Sequence, residues 1–225
     1  MAAPLRVVVN ALRARYGKAE APPSTDPFAL VVFENMAYLA PDEKRRAAFA
    51  ALRRDVGVSP REILKASIQA LTRACRIGGI YPEKRADRLR RSAEIAISAF
   101  DGDLRDAVRL PQPEARKALR RFPAIGEPGA DKILLFCGGH PTLAPDSNAL
   151  RVLARLGIVP EERSYAATYR AALAAADRDK LVDRSSLQEA HQLLRRHGQE
   201  LCRRAKPACD ECPLRSGCDY FARMS

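Results

Sequence analysis

Four cysteines stand near the end of this chain: Cys202, Cys209, Cys212 and Cys218, spaced C-x6-C-x2-C-x5-C. Four thiols so close together bind something or oxidise, and either outcome folds the C-terminal segment around one point. Structural zinc usually takes two separated C-x2-C pairs, and this set holds one. An iron–sulfur cluster takes four cysteines. The spacing therefore favours a [4Fe–4S] cluster over zinc, with disulfides third. The N-terminal residues Met1 to Arg6 lack the apolar stretch of a signal peptide, so a cytoplasmic chain is expected, and its six cysteines read as thiols or metal ligands. Cys75 and Cys137 lie in apolar helical contexts and read as buried core thiols.

Between the first two ligand candidates lies Arg203-Arg204-Ala205-Lys206-Pro207-Ala208, with three positive charges. A basic loop tied down at its ends can hold phosphates at little ordering cost. The whole chain agrees in sign: 39 basic against 27 acidic residues, a net charge of +12 and a pI near 9.8. Such a surplus points to a polyanionic partner, most simply nucleic acid. No run of about 18 apolar residues is present, so no membrane span is expected.

The remaining periodicity is helical throughout, and no alternating strand pattern, repeat or low-complexity tract interrupts it, so the fold class is all-α. Leu5 to Tyr16 forms an amphipathic helix. Pro27 to about Ala40, capped by Thr25 or Asp26, is apolar nearly all round and should be buried, with Glu34 and Asn35 interrupting it. A carboxylate on a buried helix is costly unless paired or protonated. It pairs with one of the many arginines, or it serves as a general acid; the adjacent Asn35 favours the functional role. Asp42 to Asp55 is a charged helix. Ser59 and Glu62 form a capping box, and one helix is expected to run on from Ile63 to Cys75. The loop Ile77-Gly78-Gly79-Ile80-Tyr81-Pro82 follows. It is a tight turn, or it presents Ile80 as a wedge for a base stack. Glu83 to Phe100 is a long basic helix. Pro113 to Arg121 leads into Phe122-Pro123-Ala124-Ile125-Gly126, a hairpin between helices with Leu119 and Phe122 inward. Pro128 starts the next helix, and Asp146 caps the one after, Ser147 to Leu156.

The hairpin FPAIG (Phe122 to Gly126), the acid in APDSNALRV (Ala144 to Val152) and the four cysteines, in this order, resemble the endonuclease III family of helix-hairpin-helix DNA glycosylases. The stretch PFALVVFENMAYLAPD (Pro27 to Asp42) extends the match. The resemblance implies two helical domains with DNA in the cleft between them. One, residues 22–135, is a six-helix barrel ending in the hairpin. The other, residues 1–21 and 136–225, holds the cluster. It implies base excision: a damaged or mispaired nucleotide in double-stranded DNA is flipped out and its N-glycosidic bond cut by a monomeric, cytoplasmic, nucleoid-associated enzyme.

Asp146 falls on the family's catalytic aspartate and would stabilise the oxocarbenium-like sugar. Ile80 falls on a wedge position, and Leu39 where a glutamine often fills the gap left by the flipped base. Ile125, Gly126 and Gly129 would bind a phosphate through backbone N–H groups, with Arg203, Arg204 and Lys206 adding charge. Asn35, Tyr38 and Asn148 would line the base pocket. Glu34 stands where adenine- and mismatch-specific branches carry an acid, although Tyr38-Leu39 is not their glutamine pair. Ala124 replaces the usual first glycine of the hairpin. Pro128 occupies the position of the Schiff-base lysine of bifunctional members, and Lys132 is one helical turn further on. A proline forms no imine, so the implied activity is monofunctional. Two alternatives stand beside it: a non-catalytic or redox-sensing DNA-binding protein on this scaffold, and a bifunctional lyase using Lys132.

Overall fold

The computed structural model describes residues 3–37, 40–160 and 164–224, and among them every regular element is helical, with no β-strand. The all-α expectation holds. The chain divides into two compact units, residues 1–21 with 141–225, and residues 22–140.

In the first unit, α1 (Leu5–Tyr16) buries Leu5, Val8, Val9 and Leu12, the stripe set by its apolar spacing. It packs on α12 (Arg184–Glu200). The Leu5 N–H donates to Asp179 Oδ2 at 2.6 Å, and Arg13 pairs with Glu189 of α12. The N-terminal helix is therefore fixed to the C-terminal part of the chain by its core face and by both ends. α10 (Ser147–Arg155) and α11 (Tyr165–Arg178) complete the group, and α10 packs closely on α12. Gly198 permits that approach: a Cβ there would stand 2.7 Å from the Asn148 carbonyl oxygen. Short 3-10 turns at Cys209–Glu211 and Arg215–Gly217 and a final α13 (Asp219–Ala222) carry the cysteine segment.

The second unit holds α2 (Pro27–Asn35), α3 (Asp42–Asp55), α4 (Pro60–Lys65), α5 (Ile68–Ile77), α6 (Pro82–Phe100), α7 (Arg105–Arg109), α8 (Gln112–Leu119) and α9 (Glu127–Cys137). Two elements differ from their sequence reading. Helix α2 ends at Asn35 rather than near Ala40. Its last carbonyls are taken by side chains from other helices: Arg45 Nε and Nη2 donate to Phe33 O (3.1 Å) and Glu34 O (3.2 Å), and Arg85 Nη1 donates to Met36 O. The single helix expected from Ile63 to Cys75 is two. Ala66 is extended, and Ser67 caps α5 by accepting from the Ala70 N–H at 3.2 Å. The Ser59–Glu62 capping box is present in full. Cys75 is buried, and that burial pushes its thiol up to about 11; Cys137 is half-buried.

Candidate active site

Asp146 caps α10, as its sequence position requires. Its Oδ1 accepts the N–H groups of Asn148 and Ala149, both at 2.9 Å. Its Oδ2 accepts Asn148 Nδ2 at 3.2 Å and stands 3.1 Å from Arg195 Nε of α12. Asn148 Oδ1 in turn accepts from Arg151 Nη2 at 2.9 Å, and the same Nη2 donates to Gly198 O at 2.7 Å. His191, one turn before Arg195, bonds the Ala144 carbonyl through Nδ1 at 2.6 Å, which makes Nδ1 its protonated nitrogen. Burial pushes the Asp146 carboxyl up, but the Arg195 charge, the Ala149 N–H, His191 and Asn148 outweigh it. The net shift is below the ordinary carboxylate value. The acid is a held anion, with its side chain 26% exposed. Neither Arg195 nor His191 was legible as its partner: their only signal is helical i, i+4 spacing on α12.

In the second unit the hairpin is anchored by Phe122, which stacks on Phe100 and meets Phe28 edge-on. Arg116 of α8 holds the fully buried Asp131 of α9 through two contacts, at 2.5 and 3.0 Å, fixing the two helices about the turn. Ala124 takes a left-handed φ of 60°, the conformation a glycine would adopt without strain. The Ile125 N–H donates to Phe122 O at 3.2 Å and its side chain is buried. This differs from the expectation that Ile125 offers its N–H to a phosphate: the turn itself takes that donor. The donors at the head of α9 are then those of Gly126, Glu127 and Gly129, which lie before the first in-helix bond, Ala130 N–H to Gly126 O.

Glu34 is paired. Lys132 Nζ of α9 stands 2.5 Å from its Oε2, and Arg45 Nη2 3.2 Å from the same oxygen. Asn35 is buried and ties α2 to the hairpin, its Nδ2 donating to Val31 O (3.1 Å) and Pro123 O (3.2 Å). Its Oδ1 has no hydrogen-bond partner among the described residues. Ile80 is 49% exposed, in a loop whose carbonyls are held by the buried Arg85: Nη2 to Gly79 O at 2.6 Å and Nε to Tyr81 O at 3.4 Å. The positions Tyr38 and Leu39, assigned to pocket and gap-filling, lie outside the described residues.

The cysteine segment is organised by Arg155 and His197 in the first unit. Arg155 Nη1 donates to Arg203 O at 2.8 Å and stands 3.4 Å from Cys202 Sγ, and Nη2 reaches Arg204 O at 3.2 Å. The Cys218 thiol meets Arg155 O at 3.4 Å. These contacts hold the backbone of the basic loop while Arg203, Arg204 and Lys206 remain exposed. Burial lowers His197 to about 4, so it is neutral, and it bridges Tyr16 (Nδ1, 3.0 Å) and Cys212 Sγ (Nε2, 3.5 Å). All six cysteines are free. Burial, and after it the charges of neighbouring cysteines, pushes the Cys209 and Cys212 thiols up. Among the described residues no three His, Cys, Asp or Glu side chains are grouped to hold a metal ion.

No protein-family model matches the chain. The structure is similar to a trapped endonuclease III–DNA covalent intermediate, with a TM-score of 0.76 and 19% identity, covering 98% of this chain and 97% of that one. It is equally similar to a thermostable thymine-DNA glycosylase, with a TM-score of 0.75 and 18% identity over 97% of both chains. The fold is thus that of the helix-hairpin-helix glycosylases. In sequence the chain is 31% identical to endonuclease III of Treponema pallidum over 193 residues, 85% of this chain and 82% of that protein. It is 27% identical to the Sulfolobus acidocaldarius endonuclease III over 198 residues, and 24% to the Escherichia coli enzyme over 200. The chain belongs to the endonuclease III family.

Proposed function

We propose that the chain is a monofunctional DNA glycosylase of base excision repair, which hydrolyses the N-glycosidic bond of a flipped damaged or mispaired base. The observation that carries this reading is the state of Asp146: a carboxylate at a helix head, ion-paired and hydrogen-bonded so that it remains charged. A fixed negative charge is what a developing oxocarbenium sugar requires, and the same carboxylate can orient the attacking water.

The amines near the hairpin favour hydrolysis over lyase chemistry. Pro128 occupies the family's lysine position and has no nucleophilic nitrogen. Lys132 stands against the Glu34 carboxylate at 2.5 Å. An ammonium paired in this way is the protonated form, and the protonated amine is not a nucleophile. The same pair changes the role proposed for Glu34. With two cations on one carboxylate the charged form is favoured, so Glu34 accepts a hydrogen bond from the base or a water rather than donating a proton. Gly126, Glu127 and Gly129 N–H groups take a phosphate at the head of α9. Ile80 enters the stack, and Arg203, Arg204 and Lys206 contribute charge.

The four cysteines would hold a [4Fe–4S] cluster. The donor chemistry fits: four free thiols in one short segment, with Arg155 against Cys202 Sγ and neutral His197 against Cys212 Sγ. When bound, the cluster supplies a crosslink through the C-terminal segment. Iron and sulfide content of the purified protein tests it.

The activity test is a panel of lesion and mismatch duplexes, incubated with the protein and analysed with and without later alkali. Breaks that require alkali, lost in Asp146→Asn, are expected. Breaks without alkali, with a borohydride-trapped complex that Lys132→Met removes, would replace this reading by the bifunctional one. Tight binding without excision of any lesion would replace it by the non-catalytic one.

A further inference from the structure

We infer that Arg195 is a positioning residue for Asp146, whose guanidinium keeps the carboxylate ionised at the pH of the reaction. The inference rests on the reading of Asp146 given above. Its basis is the geometry on α12. Arg195 Nε lies 3.1 Å from Asp146 Oδ2, an ion pair between α12 and the head of α10. Oδ1 is fully engaged by two backbone N–H groups. Oδ2 carries one side-chain amide at 3.2 Å and the Arg195 charge, and is therefore the oxygen with acceptor capacity remaining for a sugar or a water.

Among the described residues, the groups that act on this carboxylate come from three helices. α12 contributes Arg195 and His191, α10 contributes Asn148 and Arg151, and α11 contributes Tyr165, whose hydroxyl is 3.5 Å from Pro145 O. Arg151 is directed elsewhere, to Asn148 Oδ1, Gly198 O and Cys202 O. His191 bonds Ala144 O through Nδ1, and its effect on Asp146 has the same sign as that of Arg195 but is smaller. Among the described residues, Arg195 is the arginine at pairing distance from Asp146. Burial alone drives a carboxylate toward its neutral form, which would neither stabilise a cationic sugar nor orient water.

Two measurements separate this from a packing role. In Arg195→Met the acid limb of the single-turnover excision rate should move to higher pH by about one to three units, the range for removal of an adjacent opposite charge. The rate on the plateau above it should remain within a few-fold of the parent. Arg195→Lys should return most of the shift. The carbon-13 resonance of the Asp146 carboxyl, assigned by its absence in Asp146→Asn, should titrate upward by the same amount. That titration needs no substrate. An acid limb and a carboxyl titration both unmoved in folded Arg195→Met would overturn the inference, as would a loss of rate that is equal at every pH. If Arg195→Met does not fold, the same two readouts on Arg195→Gln decide. Excision retained in Asp146→Asn would remove the proposed role of Asp146 itself, whereas the titration would still report on Arg195.

Discussion

Replacing Gly78 by alanine should be the most damaging single-methyl change in the second unit. Gly78 ends α5 with an ordinary φ of −78°, so the backbone itself tolerates alanine. The obstacle is space. An added Cβ would overlap the Met36 carbonyl oxygen and stand 2.6 Å from Arg85 Nη1 and 3.0 Å from the Met36 carbonyl carbon. Neither neighbour can yield cheaply. The carbonyl is backbone at the end of α2, and Arg85, 2% exposed, is held by three carbonyls of which Met36 O is one. Overpacking costs about 1–3 kcal/mol. Displacing a hydrogen bond to a charged, buried group adds about 1.5–3 kcal/mol. These overlap in origin, so a loss of about 3 kcal/mol is expected, or about 6–12 °C in melting temperature for a chain of this size. Urea unfolding followed by circular dichroism measures it. Gly198→Ala serves as the intermediate case: its Cβ would meet Asn148 O at 2.7 Å, but alanine recovers about 1 kcal/mol of helix propensity. Gly217→Ala, with nothing within 4 Å, should be close to neutral. Gly78→Ala within about 0.5 kcal/mol of the parent, or less damaging than Gly198→Ala, would refute the claim that Arg85 and the α2 terminus form a rigid support.

Ala124→Gly should stabilise the protein by about 0.5–1 kcal/mol, because relief of about 1–2 kcal/mol of left-handed strain exceeds the added chain entropy of glycine; a melting temperature unchanged or lowered would count against it. Asp131→Asn should cost about 3 kcal/mol in the same urea assay, since it leaves Arg116 without its buried carboxylate partner. Asp146 also predicts a direction with pH. Its folded pKa is below its unfolded one, so its stabilisation is complete above about pH 4 and is lost as pH falls through the lower, folded value. The difference in stability between the parent and Asp146→Asn should therefore shrink as pH is lowered from 5 toward 2, and a difference that grows on acidification would reverse the assignment.

What could be read from the sequence divides along the range of the interactions. Caps are local, so Ser59 with Glu62 and Asp146 were legible, the α2 cap was narrowed to Thr25 or Asp26, of which Asp26 serves, and the inward Leu119 and Phe122 were legible too. The Ser67 cap was equally local; continuous apolar spacing from Ile63 to Cys75 hid it, although Ser67 supplies the usual signal for a new helix. The early end of α2 carries no local signal. No glycine or proline stops it; arginines 10 or more residues away take its carbonyls. The same limit applies to the candidate site. That Glu34 and Asp146 are the carboxylates to watch follows from where they stand in the chain. Which cation meets each does not, because Lys132 lies 98 residues from Glu34 and any of 39 basic side chains would satisfy the sequence. Yet the partner decides the chemistry. Burial of an unpaired glutamate favours its protonated form, whereas the pairing of Glu34 with Lys132 and Arg45 favours the carboxylate. A sequence can therefore locate an acid in this fold while leaving its protonation state, and so its role, to contacts that only the packed helices define.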